Sequence, residues 1–122
     1  MISKVEYSQV LPYVTLDGSL IRELMHPRTH SNQAQSLAEA TVAIGATTRL
    51  HRHTKTEELY HFTDGEGLVT LGDEVLAVKA GDTVCIHPGT AHRVQNTGDR
   101  PLKILCCCTP PYADDDTELL DD

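Results

Sequence analysis

The chain has 122 residues, which fits one domain with a single core. It is 39% hydrophobic with one Phe and no Trp, so a small β domain built on Val, Ile, Leu and Ala is expected. Its net charge of −8, without a basic patch, argues against nucleic acid as a partner. No apolar run approaches the ~20 residues of a membrane span. Glu6, Tyr7 and Ser8 stand where a secretory signal would be apolar. A cytoplasmic, reducing location is the expectation, with Cys85, Cys106, Cys107 and Cys108 as free thiols.

Taken in order, Val5 to Val14 reads as an irregular arm or edge strand, because Pro12 cannot donate a ladder hydrogen bond. Asp17-Gly18 is a turn signal, and Ser19 to Met25 a strand that ends at His26-Pro27. Gln35 to Ala40 has helical propensity, yet Leu37, Glu39 and Thr41 alternate with Ala38, Ala40, Val42 and Ile44, so Gln35 to Ile44 is expected as a strand. Seven further strands follow: Arg49–His53, Glu58–Thr63, Gly67–Leu71, Glu74–Lys79, Thr83–His87, His92–Asn96 and Leu102–Thr109. Gly72-Asp73 suits a two-residue hairpin. Turn signals every 8 to 12 residues point to an antiparallel sandwich or barrel. Cys106 and Cys108 share one face of the last strand and Cys107 takes the other; core packing is the expectation for the trio, with a redox-sensitive pair or a thiol near the pocket as the alternatives. The tail from Ala113 to Asp122 holds six acids and no base. It reads either as a solvated terminus or as a segment folding over a pocket mouth.

Chemistry concentrates between Gly45 and Gly65. His51 and His53 sit two apart in a strand, so both imidazoles project from one face and can converge on a cation. Glu58 follows after a turn and returns on the neighbouring strand, with Glu57 as its rival. Glu58 is preferred because it shares an inward face with Tyr60 and Phe62. His92 opens a later strand after Pro88-Gly89. Arg49 and Thr47 share parity with His51 and His53 and are expected to face inward. There Arg49 would meet a carboxylate of the protein or of a ligand. Tyr60 is expected to line the same cavity, as a core aromatic or as a hydrogen-bond donor or acid. His87 either faces out opposite Val84 and Ile86 or acts as a base at the cavity mouth. His26, His30 and His61 receive no role, and His61 falls on the outer face.

These residues resemble the cupins. The first cupin motif, G(X)5HXH(X)3–4E(X)6G, is filled by Gly45, His51, His53, Glu58 and Gly65. The second, G(X)5PXG(X)2H(X)3N, is matched by Gly81, Gly89, His92 and Asn96, with His87 where the motif has Pro and Pro88 beside it. The resemblance implies an all-β jelly-roll barrel, or double-stranded β-helix, with extra N-terminal strands. It also implies His51, His53, Glu58 and His92 as ligands of one divalent transition metal. Three imidazoles and a carboxylate suit Fe, Mn, Ni or Zn rather than Ca or Mg.

The expected organisation is one domain: an arm and strands over 1–44, a barrel core over 45–109 and an acidic tail over 110–122. The expected function is that of a small-molecule enzyme of dioxygenase, isomerase or lyase type, with Tyr60 and Arg49 as catalytic candidates. The substrate would be oxygenated or carboxylated. The alternative is a non-catalytic binding or sensing module. Sheet edges that need covering predict a homodimer, with N-terminal strands packed on or exchanged with a second copy.

Overall fold

The computed structural model describes residues 3–121. Eleven strands are present: β1 Tyr13–Val14, β2 Leu20–Met25, β3 Ser36–Val42, β4 His51–His53, β5 Glu57–Asp64, β6 Glu66–Leu71, β7 Glu74–Lys79, β8 Thr83–Ile86, β9 His92–Asn96, β10 Leu102–Thr109 and β11 Thr117–Leu119. They form two antiparallel sheets. One runs β1-β2-β3-β10-β5-β8 and the other β11-β4-β9-β6-β7. This is the all-β jelly-roll architecture expected above.

Alternation places the core. β5 is buried at Glu58, Tyr60 and Phe62 and exposed between them. β10 is buried at Leu102, Ile104, Cys106 and Cys108. Phe62, Ile86, Leu102, Ile104, Val69 and Val94 are almost fully buried between the sheets. Burial of each such side chain contributes roughly 1.5–3 kcal/mol. The helix-prone start of β3 is held extended because Ala38 pairs with Glu23 on one side and Cys106 on the other. Two ladders outweigh a local propensity worth only tenths of a kcal/mol per residue.

Three details depart from, or resolve, the sequence reading. Thr47 and Arg49 do not point inward. The strand begins at His51, and Thr48, not Thr47, is buried, its hydroxyl accepting from Val94 N–H at 2.9 Å. With both Thr48 and His51 buried, one residue too many lies between them for simple alternation, so the parity argument fails there. His87 faces solvent, as Val84 and Ile86 take the core. The acidic tail is structured: β11 pairs with β4, matching Thr117 to His53 and Leu119 to His51.

Gly65 shows why the first motif closes on glycine. Its φ is +88°, and a Cβ there would lie 3.1 Å from the Leu102 Cα and the Pro101 carbonyl. Asn96 closes the second motif. Buried at 2% exposure, it donates to the Val42 and Arg100 carbonyls at 3.0 and 2.9 Å and accepts from Gly98 N–H. Its role is to tie strands together.

Candidate metal centre

The two sheets bring their polar residues together at one end of the core. β4 supplies His51 and His53, β9 supplies His92, and β5 contributes Glu58 and Tyr60 from the facing sheet. All four His and Glu side chains are buried, with His92 at 0% exposure. The donor nitrogens of the three histidines lie within 4.8 Å of one another, close enough to hold one metal ion. Glu58 Oε1 approaches His53 Nε2 at 3.2 Å and His92 Nε2 at 3.6 Å. Glu57, the rival carboxylate, is exposed on the opposite face.

Hydrogen bonds orient every ring. His51 Nδ1 donates to the Arg49 carbonyl at 2.8 Å, and His92 Nδ1 to the Thr90 carbonyl at 2.9 Å. His53 Nδ1 lies 3.0 Å from Thr117 Oγ1, whose own proton goes to the Ala113 carbonyl at 2.9 Å. Thr117 must therefore accept, and His53 Nδ1 carries the proton. All three Nδ1 positions are donors, which leaves the three Nε2 lone pairs free for a cation. Burial and the neighbouring His92 lower the His51 pKa, favouring its neutral, ligating form.

Glu58 is set from behind. Cys108 Sγ donates to Glu58 Oε2 at 3.4 Å, leaving Oε1 toward the histidines. Burial pushes the Glu58 carboxyl up, but in the metal-free site protonated imidazoles at His53 and His92 outweigh it and hold the pKa at about 2; a metal ion would take the place of those Nε2 protons. Burial raises the Cys108 thiol, so it stays a donor. Glu58 Oε1 and His92 Nε2 are two of the buried polar atoms without a hydrogen-bond partner among the described residues. Such orphaned groups are costly and ask for a ligand. Their position and donor chemistry fit a divalent transition metal.

A cavity of about 60 Å³ opens onto this cluster. By the space one water occupies, it admits a few waters or one small molecule. Tyr60 lines it, its ring edge-on to His92 at 5.9 Å, and burial first, then Glu58, raises its pKa so that the hydroxyl stays protonated. Arg49 does not reach the cavity. Its side chain is 43% exposed and pairs with Asp121 at 3.0 Å on the outside.

Three residues without a site role in the sequence reading belong here, Asp17, Tyr112 and Thr117, and Cys108 takes the pocket-side alternative of its trio. Asp17 Oδ2 lies 3.9 Å from His51 Nε2. Tyr112 packs edge-on to His53 at 5.7 Å, and its carbonyl accepts from His26 Nε2 at 2.8 Å. Asp116 anchors the tail by accepting from Lys55 and Thr56 N–H at 2.9 and 3.1 Å and from the Thr54 hydroxyl. The tail is thus not a solvated end: Asp116 ties it to the turn after His53, and Thr117 lines the cavity.

The Cupin domain family model matches residues 38–108, and the chain belongs to this family. MJ1618 of Methanocaldococcus jannaschii is 52% identical over 120 residues, covering 98% of this chain and 96% of that protein. An oxalate-binding protein of Thermotoga maritima is 31% identical over 86 residues, covering 70% of this chain and 67% of that one. Among solved structures, a Thermotoga maritima protein described as a predicted oxalate decarboxylase superposes with a TM-score of 0.77 at 25% identity, over 87% of this chain and 97% of that chain. Pac13, a nucleoside dehydratase from Streptomyces, shares the fold with a TM-score of 0.78 at 13% identity, over 98% of this chain and 92% of that one. Among the described residues no helix is long and apolar enough to cross a membrane.

Proposed function

We propose that the protein is a single-domain, metal-dependent cupin enzyme that acts on a small oxygenated molecule. His51, His53, His92 and Glu58 hold one divalent ion of Fe, Mn, Ni or Zn. The observation that carries this reading is the pair of orphaned, buried atoms, Glu58 Oε1 and His92 Nε2, within a cluster of three imidazoles whose donor atoms lie within 4.8 Å of one another beside the cavity. A bound ion of this kind supplies Lewis acidity to a substrate oxygen or activates water. The chain's own residues do the rest. Tyr60 offers a protonated hydroxyl from the cavity wall, and the apolar faces of Ile21, Ala38 and Ala40 help exclude bulk water. The relative described as a predicted oxalate decarboxylase supports an enzymatic role of lyase type, with dioxygenase and isomerase chemistry as the other candidates. Arg49 drops out as a catalytic candidate, because its guanidinium lies outside the cavity on Asp121.

A second reading, a binding or sensing module without turnover, is favoured by the small cavity and by the oxalate-binding relative. One experiment separates the two. The protein is purified anaerobically, its metal quantified, and each reconstituted form (Fe, Mn, Ni, Zn) incubated with a panel of small hydroxy, keto and carboxylic acids under mass-spectrometric detection. Turnover by one metal form supports the enzyme. Thermal stabilisation by a ligand without any product supports the binding module. A chain that takes up no metal overturns both in their metal-dependent form.

We also propose a homodimer. Leu11, Val14 and Leu16 leave exposed apolar surface beside β1, at the open edge of the six-stranded sheet. Sedimentation at micromolar concentration should give twice the 13.4 kDa chain mass.

A further inference from the structure

The charge inventory of the cavity narrows what it can hold. Among the described residues its wall carries three carboxylates, Asp17, Glu23 and Glu58, and no Lys or Arg. Glu23 is neutralised at 3.0 Å by Arg28. That leaves Asp17 and Glu58 as the uncompensated inner charges. One divalent ion balances both. A dianion entering the loaded site would then bring two further negative charges beside Asp17 with no cationic side chain to meet them, a costly arrangement in a poorly solvated space.

Asp17 is held in place. Its Oδ1 accepts from the Ser19 amide at 2.9 Å and the Ser19 hydroxyl at 2.6 Å, and Ser19 is 4% exposed. Its backbone carbonyl accepts from Arg49 N–H at 2.8 Å, tying this loop to the chain entering β4. Both bonds to Ser19 use the same oxygen. Oδ2 is turned toward the histidines, 3.9 Å from His51 Nε2, a longer approach than either Glu58 contact. The cavity therefore presents an oriented acceptor, Asp17 Oδ2, in a wall that also carries hydroxyl groups, Tyr60 among them.

Resting on the metal reading above, we propose that the cavity takes a small neutral molecule bearing a hydroxyl group beside a carbonyl or second hydroxyl, with the hydroxyl donating to Asp17 Oδ2. A dicarboxylate such as oxalate is the disfavoured ligand, in contrast to the oxalate-binding relative. Asp17 recognises the ligand and is not a metal ligand.

The test compares two probes on the zinc-loaded full chain by calorimetry: dihydroxyacetone, which carries the hydroxycarbonyl unit, and oxalate. The ratio of each dissociation constant between Asp17→Asn and the parent cancels the intrinsic chelating strength of the probe. Dihydroxyacetone is expected to bind the parent and to weaken at least tenfold in Asp17→Asn, which removes the charged acceptor. Oxalate is expected to tighten at least fivefold in the same variant. Bound zinc, measured first, is expected to stay at one per chain in both. Ser19→Ala keeps the carboxylate but removes the hydroxyl that is one of its two anchors, and is expected to weaken dihydroxyacetone at least threefold; it decides the matter if Asp17→Asn fails to fold. No dihydroxyacetone binding by the parent, equal affinities across variants, or weaker oxalate binding in Asp17→Asn would overturn the proposal. So would loss of zinc from Asp17→Asn alone, which would make Asp17 a ligand. A parent without zinc overturns the metal reading itself, and this inference with it.

Discussion

Among the described residues, two clusters of side chains that could hold a metal lie on opposite faces of this barrel, and they share little beyond donor spacing. Inside, His51, His53 and His92 bring their donor atoms within 4.8 Å of one another; outside, Glu57, Cys85 and His87 do the same. The inner rings are buried, and each is fixed by a hydrogen bond at Nδ1. Glu57 and His87 stand in solvent on the outer face of β5 and beyond β8. Closeness alone does not make a site. A cation bound outside must order three mobile side chains and compete with their hydration, whereas the inner donors are already ordered and desolvated. The adjacent residues Glu57 and Glu58 show how narrow the choice is: one step along β5 moves a carboxylate from solvent to the buried histidine cluster.

The largest expected effect breaks the inner cluster. His51→Ala or His92→Ala should reduce bound zinc from one per chain to below a tenth, and abolish the rise in melting temperature that zinc gives the parent. That rise should be roughly 10 °C at a zinc concentration about a thousandfold above the dissociation constant. The paired control, Cys85→Ser with His87→Ala, should leave stoichiometry and melting unchanged. Elemental analysis and thermal scans read both.

A smaller effect should follow from loosening one support while keeping all the ligands. Thr117→Val cannot accept from His53 Nδ1, and zinc affinity should fall roughly tenfold, as for other groups that orient a ligating His. Thr117→Ser should restore it. Competition against a chromophoric chelator measures the change, and an unaltered affinity would mean that the tail merely covers the site.

Acid should weaken the metal-free inner cluster in two stages. His51 has its pKa lowered from 6.5 by burial and then by His92, so the unfolded chain takes up that proton first and stability declines as pH falls below 6.5. Glu58 ionises at about 2 when folded against 4.5 for the free group; its contribution is complete above pH 4.5 and is lost as pH falls toward 2. Denaturant titrations across this range should show the loss, on the order of 3 kcal/mol from Glu58. The smallest effect concerns only reactivity. Native protein should take up iodoacetamide at the exposed Cys85 and the half-buried Cys107, while Cys106 and Cys108, whose thiols are raised by burial, label only after denaturation.

Much of this was legible in the chain. The positions of β2 through β10 followed from period-two alternation and turn residues, both local properties. The cupin motifs pointed to His51, His53, Glu58 and His92, which the fold brings together in one buried cluster, and parity preferred Glu58, which is buried, over Glu57, which is exposed. Arg49 shows where the method stops. Counting back from His51 placed it inside, but Thr48 is anchored to Val94 and the extra residue between Thr48 and His51 turns Arg49 out to Asp121. The acidic tail is a second case. Its composition suggested a solvated end, yet Asp116 binds the turn after His53 and Thr117 pairs with His53 itself.

The sequence by itself determined the fold class, because strand periodicity acts over a few neighbours, and through the cupin motifs it pointed to the residues proposed to hold a metal. Only the tertiary structure decided which residues support the site. Thr117 reaches His53 across 64 positions, and Cys108 reaches Glu58 across 50. Asp17 enters the cavity by way of a turn that locally signals nothing but a change of direction. Such contacts depend on how two sheets and a returning tail pack together, and that packing is a property of the whole chain rather than of any short pattern within it.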